Sequence, residues 1–449
     1  MAALGLPPGL DASASLIEGL DRCLRVGFSR LDDEAWGDLD AFVAAFSGTP
    51  LGSELQAARQ ALGGSQFQVR TFTLLAAARA ALQGAQADAL TATVRAHFGT
   101  ASAPTATGAT RELLKLDSVM PALGSAEQWL MERAIAGFDD LQEDALTPFA
   151  ATLEVLQAEP QLVGLSVLLG GLLDELSAAA ATDQVERPVH RWADLWSASL
   201  LRARSPLGRY SAEPVAGEFF PLGIDLGGHA SFVQVLIYGV LDAGGERRIA
   251  RVPFGSYKVP TLSGAEVWEL FGARVEPWLT ALAERKSIKL NGELGASGEV
   301  LVSRTSPPKS RFDPFALAAE LGSVAGLPAL PAEERHPVQL GELVFLSGAK
   351  VNADGDALSV DALSVNGLPL ALERVADAEF CDLLKHASEL IGLVRFDGHG
   401  FRLQPLAAKG SGKLRDGMIR GELEVARRKQ LKAKSLPILQ ERASKLLRA

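Results

Sequence analysis

The sequence predicts a multidomain α+β protein with a helical N-terminal half, two small β-rich units and a basic C-terminal helix. Over roughly the first 200 residues, apolar residues recur at intervals of three and four, as one buried helical face requires. From Gly217 onward the period changes to two, which is typical of half-buried strands. The final segment, 409–449, is strongly basic, whereas the chain as a whole is acidic.

The length and composition exclude several classes of protein. A chain of 449 residues with 47% hydrophobic content can bury the cores of several domains, which excludes a disordered protein. Cys23 and Cys381 are the only cysteines, so a disulfide scaffold is excluded. The net charge of −10 argues against a protein that coats nucleic acid with its whole surface. The Ala-rich, Lys-poor composition is typical of a GC-rich bacterial source.

Two features indicate a cytoplasmic protein. The N-terminal residues lack the basic region and apolar stretch of a secretory signal. The most apolar run, 162–173, is too short for a bilayer crossing of about 20 residues, and Asp174 and Glu175 end it. We therefore expect this run to form a buried helix.

The first helices are predicted from apolar periodicity and from glycines that punctuate it. Gly63-Gly64 and Gly84 are expected to end helices, and 100–110 is expected to be a linker. A second helical group runs from 112 to 176, so we divide this half into domains at 1–100 and 111–205. The arrangement indicates a bundle or an α-solenoid, and the sequence has no fixed repeat period. The predicted helices of the first group are 15–28, 36–46, 55–62, 72–82 and 89–98.

Trp192 and Trp196 lie four residues apart and hence on one helical face. Two interpretations follow from this spacing. The favoured one is that both side chains dock a short helix against its neighbour. The alternative is an exposed aromatic anchor for a protein partner, because Trp is enriched in interface hot spots.

Two β-rich units are predicted at 214–320 and 335–408. In the first, a hairpin through 242–245 precedes an amphipathic helix at 263–284 and further short strands. In the second, Asn366-Gly367 predicts a hairpin turn, and a helix at 377–390 precedes the last strands. The predicted order of elements in both units is therefore strands, one helix and further strands. That order is compatible with small barrels or sandwiches such as the OB fold.

The C-terminal segment 409–449 holds twelve basic and four acidic residues, a net charge of +8, which leaves −18 on the remainder. It is expected either to fold back onto the acidic body or to contact an acidic protein or a phosphate backbone. No aromatic residue interrupts it, so it lacks the stacking groups of single-strand binders. The candidate partner-binding residues in this tail are Arg427, Arg428, Lys429 and Lys432.

The stretch Leu222-Gly-Ile-Asp-Leu-Gly-Gly-His229 resembles the first phosphate-binding turn of actin-like sugar kinases of the hexokinase and ROK type. The resemblance implies that Gly227 and Gly228 would approach a phosphate and that Asp225 would organise hydrated magnesium. His229 replaces the hydroxyl residue of that motif, and no second phosphate loop follows downstream. An ATP-dependent kinase is therefore the alternative prediction.

No other complete catalytic or cofactor motif is present. The six histidines are not paired at metal-ligand spacing, and neither cysteine lies beside a histidine. Gly410-Ser-Gly-Lys413 resembles half a P-loop, but Ala407 and Leu414 stand where the rest of that motif requires glycine and a hydroxyl residue. We expect no cofactor and no metal, and no catalytic residue is assigned.

The stretch Pro188-Val-His-Arg-Trp-Ala-Asp-Leu-Trp196, with the β-rich unit after it, resembles bacterial accessory proteins that accompany MoxR-type AAA ATPases and von Willebrand A domain proteins. The resemblance covers about 185–320 and implies an accessory role beside an ATPase. The predicted function is a non-enzymatic scaffold or adaptor that binds a protein partner, with nucleic-acid contact through the basic tail as a further option.

Overall fold

A computed structural model describes residues 4–99, 117–139, 146–181, 188–205, 212–259, 262, 264–328, 340–363, 365–375 and 378–419. Helices make up the N-terminal half, and antiparallel sheets follow them. This order confirms the predicted α+β class. In the helical half the α-helices are α1 (Leu10–Val26), α2 (Asp33–Ala44), α3 (Gly52–Gly63), α4 (Val69–Phe98), α5 (Met120–Ala136), α6 (Phe149–Gln157), α7 (Val163–Ala180) and α8 (Val189–Arg204).

Helix α4 is a single helix of 30 residues, although two helices separated at Gly84 were predicted. Gly84 lies inside the helix and is buried. A glycine in a helix interior costs only about 1 kcal/mol relative to alanine, and the alanines and leucines around it favour the helix. The linker predicted at 100–110 lies outside the described residues.

One hydrophobic core runs through the helical half, whereas two helical domains were predicted. Leu20 and Leu24 of α1 belong to the same cluster of buried side chains as Leu172 of α7 and Leu200 of α8. Both helical groups therefore share one core among the described residues.

The C-terminal ends of α1 and α5 cross and bond to each other through the backbone. The amide of Phe28 donates to the Ala134 carbonyl at 3.0 Å, and the amide of Phe138 donates to the Leu24 carbonyl at the same distance. The two bonds are reciprocal, and the two phenylalanines are 110 positions apart in the chain. The two helix ends thus form a reciprocal pair that the sequence periodicity did not reveal.

A glycine precedes each of these phenylalanines because the crossing leaves no space for a side chain. Gly27 and Gly137 have φ values of 97° and 90°, a region that favours glycine. A Cβ atom on Gly27 would lie 2.5 Å from the Ala136 carbonyl oxygen, and one on Gly137 would lie 2.5 Å from that of Val26. The repeated Gly-Phe pair is therefore required by the helix crossing.

The first β unit is an antiparallel sheet with the strand order β3-β2-β1-β4-β5. A parallel bridge between Arg251 on β3 and Glu299 just before β5 brings the two sides of the sheet together, so that it curls into a half-barrel. Its strands are β1 (Glu213–His229), β2 (Phe232–Ala243), β3 (Glu246–Tyr257), β4 (Ile288–Leu294) and β5 (Val300–Thr305).

The helix predicted at 263–284 is divided. Two 3-10 segments, Gly264–Leu270 and Gly272–Arg274, precede the α-helix α9 (Glu276–Glu284). Gly272 adopts a φ of 51°, and Pro277 occupies the first turn of α9. Both residues interrupt helical hydrogen bonding, which explains the break.

After α10 (Pro314–Ala319), the second β unit consists of a four-stranded sheet and a three-stranded sheet. Strand β10 pairs with β6 on one side and with β11 on the other, while β7, β8 and β9 form a meander. A parallel bridge between Leu370 and Leu403 places the end of β9 beside β11. The elements are β6 (Glu342–Ser347), β7 (Lys350–Val351), β8 (Ala357–Val360), β9 (Val365–Pro369), α11 (Ala378–Leu383), β10 (Ala387–Phe396), β11 (Phe401–Gly410) and β12 (Met418–Ile419).

Three local predictions in this unit are wrong. Asn366 and Gly367 lie within β9, where the Ser359 hydroxyl donates to the Asn366 side chain and accepts from the Gly367 amide. The helix predicted at 377–390 ends early because Ala387 already begins β10. The basic segment does not begin as a helix at Lys409, since β11 extends to Gly410 and β12 follows.

Candidate functional site

Asp225, the candidate magnesium ligand of the kinase alternative, is buried on β1 and bonded to the second β unit. It accepts hydrogen bonds from Arg395 Nη2 at 2.6 Å and from Gln404 Nε2 at 2.8 Å, one at each carboxylate oxygen. Burial would raise the pKa of Asp225, but Arg395 and Gln404 outweigh it and hold that pKa below the usual range. Asp225 is thus an ionised group that ties the two β units together.

Gly227 and Gly228 do not form the predicted phosphate-binding turn. Both lie within β1, opposite Gln234 and Val233 of β2. A Cβ atom on Gly228 would lie 2.2 Å from the Phe232 carbonyl oxygen, so this glycine permits the strands to approach closely. The turn comes after His229, and the expectation of a glycine-lined phosphate loop is corrected accordingly.

His229 docks the first β unit onto helix α7. Its Nδ1 atom lies 3.1 Å from Asp174 Oδ2, and the Ser231 hydroxyl donates to the same oxygen at 2.6 Å. Burial would raise the pKa of Asp174, but the bonds from His229 and Ser231 lower it. The imidazole packs against Gly171, where a Cβ atom would lie 3.3 Å from the ring.

These three side chains are not arranged as a catalytic triad. In a triad, the serine contacts the histidine nitrogen opposite the one that the carboxylate orients. Here Ser231 and Asp174 both approach Nδ1, and Nε2 is buried with no hydrogen-bond partner among the described residues. The cluster therefore fixes a contact between α7 and the sheet and cannot relay a proton to the serine.

Arg95 joins the helical half to both β units. Its Nε and Nη2 atoms donate to the Glu342 carboxylate at 2.8 and 3.0 Å, and Nη2 also donates to the Leu327 carbonyl at 2.6 Å. Leu90, on the same helix, packs into the core of the second unit. Helix α4 thus extends from the helical core into the junction between the units.

A second buried polar network lies in the helical half. The guanidinium of Arg79, whose side chain is 0% exposed, donates to both carboxylate oxygens of Asp21 at 2.7 and 3.0 Å. It also donates to Asp194 at 2.6 Å, and Gln83 donates to the same oxygen at 2.5 Å. His190 contacts Asp21 through Nδ1 at 2.8 Å. These bonds connect α1, α4 and α8.

This network makes the stability of the helical half depend on pH through His190. The hydrogen bond to Asp21 raises the pKa of His190 despite partial burial. The stabilisation is therefore complete below the unfolded pKa of about 6.5 and is lost as the pH rises through the raised folded value. We expect the melting temperature of His190→Gln to fall below that of the wild type at pH 5.5, and the difference to shrink by pH 8.5.

The control for this measurement is His399→Gln, in an exposed turn. It should follow the wild type at every pH. A difference between wild type and His190→Gln that stays constant from pH 5.5 to 8.5 would contradict the assignment.

Trp192 and Trp196 are buried, with 1% and 0% exposure, so the expectation of an exposed partner-binding anchor is corrected. The Trp196 indole donates to the Leu130 carbonyl at 2.9 Å. The Trp192 indole donates to Glu175, and its ring meets Phe138 edge-on. Both side chains pack α8 against its neighbours, as the favoured interpretation of their spacing predicted.

An exposed group of basic side chains follows one edge of the first β unit. We call the following set the basic edge: Lys289, Arg304, Lys309 and Arg311. Lys289 lies on β4 and Arg304 on β5, and the segment after β5 continues along the beginning of β4 through a bridge between Lys286 and Arg311. None of the four side chains of the basic edge forms an ion pair or side-chain hydrogen bond with a described residue.

Sequence reasoning missed the basic edge, although a signal for it exists. Residues 285–311 contain six basic and two acidic side chains within an acidic chain. The larger charge of the C-terminal segment conceals this local excess. The tail candidates Arg427, Arg428, Lys429 and Lys432 all lie outside the described residues.

The remaining candidate residues do not form a reactive site. Burial raises the pKa of Cys23 to about 12, so this thiol is not an activated nucleophile. No group of three or more potential metal ligands occurs within the described ranges. Asp225 bonds to Arg395 and Gln404, and no described cluster combines a nucleophile, a base and an oxyanion donor.

Among the described helices, the stretch Pro160–Ala180 is long and apolar enough to cross a membrane by length and composition. Half of its most apolar window is buried inside the protein. Leu169 and Leu172 lie in the helical core, and Asp174 on the same helix bonds to His229. These contacts agree with the predicted buried helix.

Comparisons of the chain with known protein families, with curated proteins and with solved structures found no match.

Proposed function

We propose that this chain is a non-enzymatic scaffold or adaptor that binds a protein partner, built from two OB-type units on a helical support. The observation that carries the proposal is the order of elements along the chain, which is similar in the two units, together with a parallel bridge in each. In each, a meander is followed by a helix and a hairpin, and the third strand approaches the fifth in parallel. This order is compatible with the five-stranded OB barrel, a fold that binds oligonucleotides and oligosaccharides.

The polar side chains also favour this function over the kinase alternative. Both oxygens of Asp225 accept bonds from the second β unit, and Gly227 and Gly228 belong to a strand ladder. A kinase would need this carboxylate free for hydrated magnesium and the glycine amides free for phosphate.

The partner that we propose is the ATPase of a MoxR-type system, and the location is the cytoplasm. The support for this partner is the resemblance of 188–196 to accessory proteins of such systems. Trp192 and Trp196 are buried, so the contact surface lies elsewhere.

The first test separates a binding protein from a kinase. We expect Mg-ATP to leave the melting temperature of the wild type unchanged. A nucleotide present at one hundred times its Kd would add about 2.7 kcal/mol to the free energy of unfolding. A clear rise in melting temperature with Mg-ATP that Asp225→Asn removes would contradict the proposal and favour the kinase.

The second test addresses the partner. Purified full-length chain and a MoxR-type ATPase from the same genome are mixed and run on a size-exclusion column, with and without nucleotide. We expect one complex that elutes ahead of both components. Separate elution under every nucleotide condition would contradict the proposed partner class.

A further inference from the structure

We propose that the basic edge of the first β unit binds the backbone of a single-stranded nucleic acid. This inference rests on the scaffold function proposed above and names a second partner class for it. Four observations on the described residues support it. The basic side chains lack ion-pair partners, they follow the chain along the sheet, aromatic rings lie beside them, and the usual ligand face of an OB fold is covered at one end.

The side chains of the basic edge form no ion pair with a described residue, whereas three arginines on β3 of the same unit do. On β3, Arg247, Arg248 and Arg251 each form an ion pair with an acidic side chain. Lys289, Arg304, Lys309 and Arg311 form none with a described residue. In a chain of net charge −10, a local group of free cations creates a positive potential that attracts phosphate.

The free cations follow the chain along the sheet edge. Arg304 lies opposite Asn291, and the Ser306 amide donates to the Lys289 carbonyl. Lys289 and Arg304 are thus diagonal neighbours on one face, with α-carbons about 7–8 Å apart. From Arg304 to Arg311 an extended chain spans at most about 24 Å. A track of this length suits the several nucleotides that one OB-type unit contacts.

An aromatic pair borders this track. Phe312 directly follows Arg311 and meets Phe220 edge-on, with ring centroids 5.3 Å apart. Both rings are partly exposed. Aromatic faces beside a positive groove are the stacking platforms of single-strand binders, and a base-paired duplex does not offer its bases for such stacking. Three acids lie beside the track: Glu293 on β4 and Asp313 after Phe312 are exposed, and Glu218 lies opposite Lys289, where it accepts a hydrogen bond from the Ser287 hydroxyl.

The face that OB folds use most often is covered at one end in this unit. Ligands of OB folds usually contact strands 2 and 3 and the loop between strands 1 and 2. Here the turn between β1 and β2 bonds to Asp174 of α7 through His229 and Ser231. The basic edge lies on β4 and β5, away from this contact. Helix α7 therefore occupies one end of the usual ligand face.

The start of the basic tail also lies at this edge. Arg285, which precedes Lys286 at the end of α9, donates to the carbonyls of Asp416 and Gly417. Nine basic and three acidic residues follow Ile419 in the sequence. This charge in the sequence also favours binding of a polyanion.

The experiment measures anisotropy of a labelled single strand of about 20 nucleotides, as DNA and as RNA, with the full-length chain across a salt series. The test variant is Lys289→Ala, Arg304→Ala and Lys309→Ala together. The matched control removes three exposed charges from the second unit, outside the basic tail: Lys350→Ala, Arg374→Ala and Lys385→Ala. Melting temperatures establish that each variant is folded.

We expect the test variant to bind at least about tenfold more weakly and the control to bind as the wild type does. The slope of log Kd against log salt should fall by about 2, because each single-strand phosphate contact contributes about 0.7. Phe312→Leu should weaken binding about tenfold with no change of slope.

Several results would overturn the proposal. They are absence of binding by the wild type at low salt, equal weakening in test and control variants, and tighter binding of a duplex of the same length. Loss of binding only on changing Arg427, Arg428 and Lys429 to Ala would assign the contact to the tail alone. The ATPase complex, prepared after nuclease treatment, should form equally with the test variant, so that failure of this inference and failure of the scaffold function are distinguishable.

Discussion

Replacing Arg79 with Met is expected to lower the free energy of unfolding by about 3–5 kcal/mol, the cost of removing one partner from a buried ion pair. Arg79 is 0% exposed, and its partners Asp21 and Asp194 are 6% and 15% exposed. Without the guanidinium, two carboxylates remain among apolar side chains with little solvent to stabilise them. Among the described side chains, His190 and Gln83 remain to bond them.

The same helix supplies the control for this prediction. Arg70 of α4 pairs with Glu54 at 2.6 Å, but the two side chains are 73% and 49% exposed. Exposed pairs contribute about 0–1 kcal/mol, so Arg70→Met should leave stability nearly unchanged. Urea unfolding followed by helical circular dichroism measures both variants. Equal midpoints for Arg79→Met and Arg70→Met would show that the buried network does not stabilise the helical half.

Gly137→Ala is expected to destabilise the helical half by about 3 kcal/mol or more, since strain and overlap act together. The φ of 90° at this position disfavours any side chain, and the new Cβ atom would lie 2.5 Å from the Val26 carbonyl oxygen. Relief of that contact requires the two helix ends to separate. The Phe28 and Phe138 amide bonds would then weaken together.

Gly124→Ala, in the same helix, is the control. Gly124 is exposed and lacks a positive φ, and a Cβ atom added to it would have no neighbouring atom within 4 Å. Alanine in an exposed helix interior is more favourable than glycine by about 0.5–1 kcal/mol. Thermal unfolding should therefore show opposite shifts for the two substitutions. A Gly137→Ala protein as stable as the wild type would contradict the close crossing of α1 and α5.

The parts of the fold that depend on local pattern were predictable. The three-and-four spacing of the first helices and the alternation on β2 and β3 reflect which face each element buries, and neighbouring residues determine this. The order of strands, helix and strands in both units was predictable for the same reason. Element boundaries were less so, because Gly84 and Asn366-Gly367 have conformations decided by packing with distant segments.

The polar networks were not predictable because their members are far apart in the chain. Arg79 meets Asp21 across 58 positions, and Arg395 meets Asp225 across 170. A single sequence contains no signal that shows which distant residues will be in contact. A local motif made Asp225 a candidate magnesium ligand, but its distant partner Arg395 determines that it connects the two β units. The basic edge is the opposite case, since its local charge excess can be counted without a structure.

The reciprocal crossing of α1 and α5 has a consequence for synthesis on the ribosome. The amides of Phe28 and Ser29 find their acceptors only at Ala134 and Ile135. The end of α1 therefore emerges with an incomplete seam, which cannot close until more than one hundred further residues have been translated. A nascent chain halted before this point would expose that seam to chaperones, and one halted after the Gly137 region would hide it.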